Sequence, residues 1–457
     1  MNSQGSAAGE LARVAARTRY ETAPEAVQRR VTFLVADVLT SIVSACHRSE
    51  IVRTRDALFT GSGPCTVIGS HQRTDPAMAS LVNGFSVAAE QLQDGHRLGR
   101  GHPASHVVPA VFAVAEAHGS TGAQMLSSVL VGYEVGVRIG MAMGGTPDGV
   151  HDIATWGTIG AAVGVAHLLS DGSPDTIVAA IELAASMPLL PNAACVFDGA
   201  TVQHAFLGMG AHHGVLWGSM ADGGLRAPVG TLEGHFGKWS GRSFEPSLLH
   251  GTPSEQEHWL DYEVLGGYVK RHPTCAHLHG VNDAMEDILR VWTGKYDVIE
   301  SVLVETYGAA AAFSNAEPQN DLAARFSIPY TVAVALVSGH FDNTSFDARW
   351  LEDERVRRVA KCVEVRHSHD LDRYYPAGRP ARVTLYCSGN QTLYADAQKP
   401  RGDGLDAMDD PDVLSKPRRV LHARVSDQRG DDLLAAVRTL PTRGVATLST
   451  ALREVFD

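Results

Sequence analysis

One loop of the chain concentrates side chains that can move protons. Residues 91–103 hold two histidines, two arginines and one aspartate, interrupted by three glycines. Histidine suits proton transfer near neutral pH, and catalytic groups concentrate in loops held between rigid elements. Pro103 keeps His102 out of helical geometry, so we expect this ring to project from the loop. The alternative is an ordinary solvated turn between two helices, which is equally common for so polar a segment.

A second candidate is His151, in the segment 149–157. It precedes a stretch of small residues that predicts a helix, and a helix N-terminus favours anions and lowers the pKa of a nearby histidine. A lone histidine in this position is more often a capping or core residue. Its sequence context alone therefore leaves both interpretations open.

The third candidate is the segment 268–279. It contains Lys270, one of only six lysines, followed by Arg271 and His272. Pro273 and Thr274 are typical of a helix start. Cations beside the start of a helix form a site for a carboxylate or a phosphate.

The same segment raises two other chemistries. His277 and His279 are two residues apart, which places them on different faces of a helix, and no acidic or thiolate partner has the spacing of a metal site. We therefore expect no metal. Cys275 lies near cations and could act as a nucleophile, although a buried structural thiol is the commoner case.

Composition and charge exclude several classes of protein. The chain has 457 residues and a formal net charge of −12, which disfavours nucleic acid and anionic membranes as partners. No apolar run approaches the roughly 18–20 residues of a membrane span, and the N-terminus lacks the apolar core of a signal peptide. Six scattered cysteines without a CxxC pair fit a reducing cytoplasm. Motifs for acyl transfer, phosphoryl transfer and nicotinamide binding are absent from the sequence.

The sequence patterns on either side of these loops predict a mainly α protein with an α+β lid. Apolar residues recur at helical spacing from 24 to 47 and, with many small residues, from 121 to 220. Alternating β-branched segments follow residue 300, and a hairpin is expected to turn at residues 388–390. We expect an all-helical domain over residues 1–264 and an α+β lid over 265–405. The remainder, 406–457, is expected to be a linker and C-terminal helices that return to the helical domain, with 398–414 an exposed loop.

The ordered segments resemble the MmgE/PrpD family. The matching segments are Asn83-Gly84, residues 100–119, Gly132-Tyr133-Glu134-Val135, the His151 loop, the Lys270 segment and residues 324–336. The resemblance runs from about residue 20 to about residue 400. That family includes 2-methylcitrate dehydratase, cis-aconitate decarboxylase and iminodisuccinate epimerase. The resemblance implies a homodimer, no metal or organic cofactor, and a site between the two domains that takes a small anionic carboxylate.

The resemblance also implies roles for individual residues. The catalytic positions that match the family are Asp94, His102, His151, Lys270 and Tyr330. The histidines would transfer protons, Lys270 would hold a carboxylate, and Tyr330 would donate a hydrogen bond or a proton. The residues expected to bind substrate are Gln91, Arg97, Arg100, Gln203, Arg271 and His272.

Two departures from the family bear on the substrate. Gln91 stands where the family has an acid, and Gln203 stands where it has a lysine. A lost charge partner weakens binding of a tricarboxylate by about 1–3 kcal/mol. We therefore expect a lyase that dehydrates a small mono- or dicarboxylic hydroxy acid of secondary metabolism. An epimerase, a decarboxylase and a family member without catalytic activity are the alternatives.

Overall fold

The computed structural model describes residues 5–58, 61–250, 259–409 and 411–457, and it is 61% helical. The helices of the N-terminal half are α1 (Ala7–Ala15), α2 (Glu25–Ala45), α3 (Ser49–Leu58), α4 (Pro76–Ala89), α5 (Pro103–His118), α6 (Gly122–Ala142), α7 (Trp156–Leu169), α8 (Pro174–Ser186), α9 (Cys195–Asp198), α10 (Val202–Asp222) and α11 (Gly237–Ser240). Short strands β1 (Cys65–Thr66) and β2 (Arg73–Thr74) pair with each other, as do β3 (Gly95–His96) and β4 (Gly267–Tyr268).

Helix α7 lies at the centre of the helical core, against α5, α6, α8 and α10. Small residues allow this packing. A Cβ on Gly160 of α7 would come within 2.7 Å of the Gly132 carbonyl oxygen on α6, and a Cβ on Gly132 would meet the Gly160 carbonyl at 2.6 Å. Only glycine fits at both positions, so the two helices cross with their backbones in contact.

Helix α6 corrects one expectation from the sequence. Its 21 residues are long and apolar enough to cross a membrane by length and composition, whereas we expected no such segment. In the fold, 94% of the apolar stretch is buried inside the protein. The helix is apolar all round because other helices surround it.

The second part of the fold is a mixed sheet with helices packed against it. Its helices are α12 (His279–Val291), α13 (Gly308–Ala311), α14 (Asp321–Arg325), α15 (Ile328–Ser338), α16 (Ala348–Leu351) and α17 (Glu354–Lys361). Its strands are β5 (Ile299–Thr306), β6 (Val363–His367), β7 (Ala381–Cys387) and β8 (Gln391–Ala397), in the order β6-β5-β7-β8. Only β5 and β6 are parallel. The predicted hairpin is present, because β7 and β8 pair antiparallel around residues 388–390.

The chain then returns to the helical part through α18 (Pro411–His422), α19 (Asp427–Arg438), α20 (Leu440–Arg443) and α21 (Val445–Arg453). Their apolar residues join the core formed by α1 to α10, while the sheet and its helices form a separate core. The Lys416 ammonium on α18 pairs with the Asp37 carboxylate on α2 at 2.6 Å, and both groups are buried. The domain limits at residues 264 and 405 stay a prediction.

Two local predictions are wrong. The helix expected to start at Pro273-Thr274 begins at His279, after a short 3₁₀ turn, because the Thr274 hydroxyl accepts a hydrogen bond from Asn282 and caps no helix. The segment 398–414, expected to be a linker or an exposed loop, is partly buried in its described residues. Asp403 in this segment is 5% exposed and pairs with Arg97.

Candidate active site

A cavity of about 470 Å³ lies where the three candidate segments meet. Its polar lining combines groups from the helical part and from the segment that leads to the sheet. These groups are Gln91, Arg100, His102, Thr146, His151, Asp152, Gln203, Arg242, Tyr268, Lys270, Cys275, His277, Tyr375 and Arg379. Because they are distant along the chain, the fold and not the local sequence brings them together.

His102 is the residue that precedes helix α5. Its Nδ1 is hydrogen-bonded to the Asp94 carbonyl oxygen. A carbonyl can only accept, so the neutral ring carries its proton on Nδ1 and leaves the Nε2 lone pair free. Burial lowers the pKa of His102 to about 3, and the charge of Lys270 contributes. The ring is therefore neutral at physiological pH and has the form of a general base.

Asp94 holds the start of helix α5 through hydrogen bonds and does not line the cavity. Its carboxylate accepts hydrogen bonds from the Ala104 and Ser105 amides, at 3.1 and 3.0 Å, and from the Ser105 hydroxyl at 2.6 Å. These are the free amides at the start of α5. Burial raises the pKa of Asp94 to about 6, although these hydrogen bonds oppose the shift. Its geometry is that of a positioning residue, so we remove it from the proposed catalytic groups.

His106, which the sequence did not single out, joins the two histidine loops. Its Nδ1 donates to the His102 carbonyl at 2.7 Å, and its Nε2 accepts from the Ala154 amide at 2.9 Å. Gly157 makes room for the ring, since a Cβ there would lie 2.5 Å from His106 Nδ1. The sequence signal was the pair of glycines, at 157 and 210, that face this ring.

His151 is held by its neighbour Asp152. The Nδ1 atom of His151 lies 2.7 Å from Asp152 Oδ1. Burial would raise the pKa of the Asp152 carboxyl, but the His151 ring outweighs it and holds that pKa below its usual value. The carboxylate is thus charged beside the imidazole, whose Nδ1 also accepts a hydrogen bond from the Ile153 amide at 3.1 Å. The backbone of this loop is fixed by a bond from the His151 amide to the Pro191 carbonyl.

Lys270 faces neutral amides. Its Nζ donates to Gln91 Oε1 at 3.3 Å, and Gln91 Nε2 lies 3.4 Å from Gln203 Oε1. Gln91 itself has a positive φ of 54° directly after α4, which turns its side chain into the cavity region. Burial lowers the pKa of Lys270 to about 7. The ammonium therefore has no fixed counter-charge in this contact and is available to a substrate anion.

Buried charges on the helical core position Lys270. Strand β3 of the 91–103 loop pairs with β4, which ends two residues before the lysine. Arg30 of α2 donates to the Gly267 carbonyl at 2.6 Å. Glu134 of α6 accepts from the Glu263 and Val264 amides. The approach to Lys270 is thus hydrogen-bonded to two core helices.

Several predicted substrate-binding residues point away from the cavity. Arg271 pairs with Asp283 at 3.1 Å, and His272 lies 2.8 Å from the same carboxylate. Arg97 pairs with Asp403 and lies beside the Tyr268 ring. The backbone bends at residues 271–274, and this bend brings both Arg271 and His272 to Asp283 of α12.

Tyr330 is also outside this cavity. Its hydroxyl donates to the Ser345 carbonyl at 2.7 Å, and its ring packs 5.8 Å from Phe346 in the core of the sheet domain. The hydroxyl of Tyr375, which lines the cavity, is the better candidate for the role expected of Tyr330.

Within the described residues, two groups of side chains have the spacing of metal ligands. One is His367, His369 and Asp372 on the surface, and the other contains His272 and Asp283. The second group is already matched by arginines, including Arg271. Neither group includes a residue that lines the cavity.

The opposite wall of the cavity, which the sequence did not reveal, is aromatic. Phe197 and Phe313 stack at 5.3 Å, and His277 stacks on Phe313 at 5.5 Å. Tyr375 stacks on Tyr307 at 5.0 Å. The cavity lining therefore combines aromatic side chains with imidazoles, amides and one ammonium.

Comparison with known proteins identifies the family. The MmgE/PrpD N-terminal domain matches residues 9–246, and the MmgE/PrpD C-terminal domain matches residues 272–441. The chain belongs to the MmgE/PrpD family. It is 26% identical to a cis-aconitate decarboxylase of Aspergillus terreus, over 93% of this chain and 91% of that protein. A cis-aconitate decarboxylase-like protein of Aspergillus oryzae is 24% identical over 96% and 95%, and the human cis-aconitate decarboxylase is 26% identical over 70% and 66%.

One of the MmgE/PrpD segments that carried the resemblance, Asn83-Gly84, has a structural role here. A Cβ on Gly84 would lie 2.6 Å from the Gly208 Cα, so this glycine lets α4 cross α10 closely. Asn83 bonds the backbone of Thr66 and Ile68. These residues of the MmgE/PrpD protein therefore build the frame around the cavity and do not line it.

Proposed function

We propose that this protein is a lyase that breaks a bond next to a carboxylate in a small organic acid by proton transfer. The observation that carries the proposal is the convergence of His102, His151 and Lys270 on one cavity. The volume of this cavity suits a small molecule. Side chains alone supply a base, an acid and a cation, so the proposal needs no cofactor.

The two histidines would have different roles in proton transfer. His102 presents a free Nε2 and is the proposed base. His151 is paired with a charged carboxylate and is the proposed acid. Lys270 would stabilise a carboxylate as it takes on enolate character, which lowers the barrier to proton removal at the adjacent carbon.

Decarboxylation is the reaction that the named relatives favour. In an unsaturated acid, His151 would deliver a proton to an alkene carbon. The bond to the carboxylate then breaks, carbon dioxide leaves, and the released electron pair forms the shifted double bond. Because Gln91 and Gln203 replace charged family residues, we propose a substrate with fewer carboxylates than cis-aconitate.

Dehydration is the second candidate, favoured by the presence of two imidazoles on one cavity, one with a free Nε2 and one beside a carboxylate. Here His102 would remove the α-proton and His151 would protonate the departing hydroxyl, so that water leaves and an alkene forms. Both reactions use His151 as the proton donor, and dehydration also needs His102 as the base.

The test is turnover by the purified protein with cis-aconitate, malate and citramalate, followed by proton NMR and by carbon dioxide release. Carbon dioxide from an unsaturated acid supports decarboxylation, and an alkene formed from a hydroxy acid supports dehydration. His151→Gln should abolish either reaction and His102→Gln should abolish dehydration, whereas His167→Gln, at a buried histidine outside the cavity, should abolish neither. Slow exchange of the α-proton with solvent and no other change would favour an epimerase. No change in any acid would contradict the proposal and favour a member without catalytic activity.

We also propose a homodimer. Nine of the sixteen large apolar side chains that are exposed in the described residues fall between positions 187 and 239. They are Met187, Leu190, Phe197, Val202, Met209, Met220, Leu225, Val229 and Trp239. Exposed apolar side chains gathered on one face mark interfaces. We propose that the residues of this stretch, called the apolar cluster below, contribute to such a face and that a second copy of the chain covers it.

A further inference from the structure

Arg379 is a buried cation that faces the cavity and that the sequence did not predict. It lies two residues before β7, lines the cavity and is only 8% exposed. Within the described residues, its guanidinium has no acidic partner, and its Nε is buried without a hydrogen-bond acceptor. The other buried arginines near the site are matched, as Arg97 is by Asp403 and Arg271 by Asp283.

The fold fixes Arg379 firmly. Its carbonyl oxygen packs against α12, where a Cβ on Gly280 would come within 2.1 Å. The next carbonyl, that of Pro380, accepts a hydrogen bond from the Thr306 hydroxyl at 2.8 Å. The guanidinium lies 5.1 Å from the centroid of the Tyr268 ring, and the Arg97 guanidinium lies 5.4 Å from the same centroid. This ring therefore separates a paired arginine from an unpaired one.

A guanidinium stays charged at every physiological pH, so Arg379 cannot escape its burial by losing a proton. Burying such a charge without a partner is unfavourable, and the surroundings normally supply one. Arg379 lines the cavity, and among the described residues no carboxylate pairs with it. The partner that would complete Arg379 is therefore an anion in that space.

We propose that Arg379 binds a second carboxylate of the substrate while Lys270 binds the first, which makes the substrate a dicarboxylate. The inference rests on the proposed function of the same cavity. Cys275 lines the same cavity, and both cations act to lower the pKa of its thiol against the larger effect of burial. The acidic residue on this wall, Asp152, is already paired with His151. Arg100 and Arg242 also reach the cavity, but Arg100 is partly exposed and Arg242 pairs with Asp148 on the surface.

Arg379 thus compensates for Gln203, the position where the family carries a lysine. A guanidinium presents two parallel N–H groups and binds a carboxylate through both oxygens. Where the family pattern has a cation, this chain has Gln203 on α10. Its cation is instead Arg379, which precedes β7 in the part of the fold that holds the sheet. The two carboxylates would therefore be held by opposite sides of the cavity.

Competition between two acids with one carbon skeleton tests the assignment. Succinate and monomethyl succinate differ by a single charge, and calorimetric titration gives their dissociation constants without turnover. We expect the wild-type protein to prefer succinate by at least 10-fold and Arg379→Gln to lose that preference. Arg382→Gln removes an arginine of the adjacent strand that pairs with Asp370 on the surface, and it should keep the preference. A preference retained in Arg379→Gln, or absent from the wild type, would overturn the inference.

A second variant keeps the test decisive if Arg379→Gln does not fold. Arg379→Lys retains the charge but not the two-pronged donor, so we expect the succinate preference to fall several-fold without disappearing. An unchanged preference in this folded variant would also overturn the inference. The two proposals fail separately. Dicarboxylate binding through Arg379 without any bond cleavage would refute the lyase alone, and turnover unaffected by Arg379→Gln would refute Arg379 alone.

Discussion

Lys270 donates its hydrogen bond to the amide oxygen of Gln91 across 3.3 Å. An ammonium that faces an amide is stabilised less than one that faces a carboxylate, so burial lowers its pKa to about 7 with little opposition from this contact. This pair sets both the charge of the site and its response to pH.

The first prediction concerns that pKa. Above pH 7 the free Lys270 loses its proton, so kcat/KM for a carboxylate substrate should fall as the pH rises through about 7. Gln91→Glu should raise the pKa of Lys270 by about 1–3 units and move the fall to higher pH. NMR of carbon-13-labelled lysine, tractable with six lysines, measures the pKa directly. Gln203→Glu, which adds a charge without this hydrogen bond, should shift it less, and an unchanged pKa in Gln91→Glu would contradict the contact.

The second prediction concerns His102. Its replacement by glutamine removes the proposed base and should lower kcat by about 10²–10⁴-fold. Exchange of the substrate α-proton in heavy water, followed by NMR, checks the step itself. His167→Gln is the matched control, because His167 is equally buried but bonds Ser128 far from the cavity. Exchange within 10-fold of the wild-type rate would remove His102 from the mechanism.

The third prediction concerns stability in acid. Burial lowers the pKa of His102, His167 and His277 to about 3, and that of His106 and His204 to about 4. Unfolded histidine titrates near 6.5, so between about pH 6.5 and 4 the unfolded chain binds more protons than the folded one. These histidines therefore lower the free energy of unfolding as the pH is lowered through this window, by about 1–2 kcal/mol per histidine at pH 5.

Urea denaturation at pH 7 and pH 5 measures this loss. His167→Gln removes one of these groups and should reduce the difference between the two pH values by about one histidine's share. A difference that is the same in the variant and the wild type would show that His167 titrates alike in both states.

The fourth prediction tests the link between Gln203 and substrate charge. Gln203→Lys adds a cation to the cavity wall and should strengthen binding of cis-aconitate by about 5–150-fold, which corresponds to 1–3 kcal/mol. The affinity for succinate should change less, because its two carboxylates already have partners. Titration calorimetry measures both. Equal gains for the two acids would mean that the added charge acts only as a general attraction.

The fifth prediction concerns assembly. Trp239 and Met187 are 58% and 56% exposed within the apolar cluster. The double substitution Trp239→Asp and Met187→Asp should convert a dimer to a monomer, since charges in an apolar interface lose hydration without gaining partners. Light scattering after size-exclusion chromatography gives the mass of each form. The same change at Val291 and Leu414, which are exposed outside the cluster, should leave a dimer intact.

The sequence predicted the groups that local patterns mark. Pro103 and the glycines around His102 pointed to an irregular loop, and the rarity of lysine pointed to Lys270. The apolar spacing of the helices predicted a mainly α fold with a smaller α and β part, which the structure confirms.

The sequence could not predict the roles of residues that depend on contacts with distant parts of the chain. Arg379 lies in an ordinary segment before a strand, and only the fold shows that it meets the cavity and no acid. Tyr330 and Asp94 match family positions, yet the first bonds a backbone carbonyl and the second supports a helix start. His106 had no neighbouring signal, because the glycines that accommodate it lie 51 and 104 positions further along the chain.

Lys416 gives the site a dependence on the order of synthesis. Its ammonium, besides pairing with Asp37, donates to the Leu92 carbonyl at 2.6 Å, directly after Gln91. Among the described residues, the last one to line the cavity is Arg379, so a chain still attached to the ribosome at residue 400 already carries every group of the wall. The 91–94 turn, however, has no support from α18 at that stage. The contact from Lys416 that holds this turn can therefore form only after translation has passed position 416.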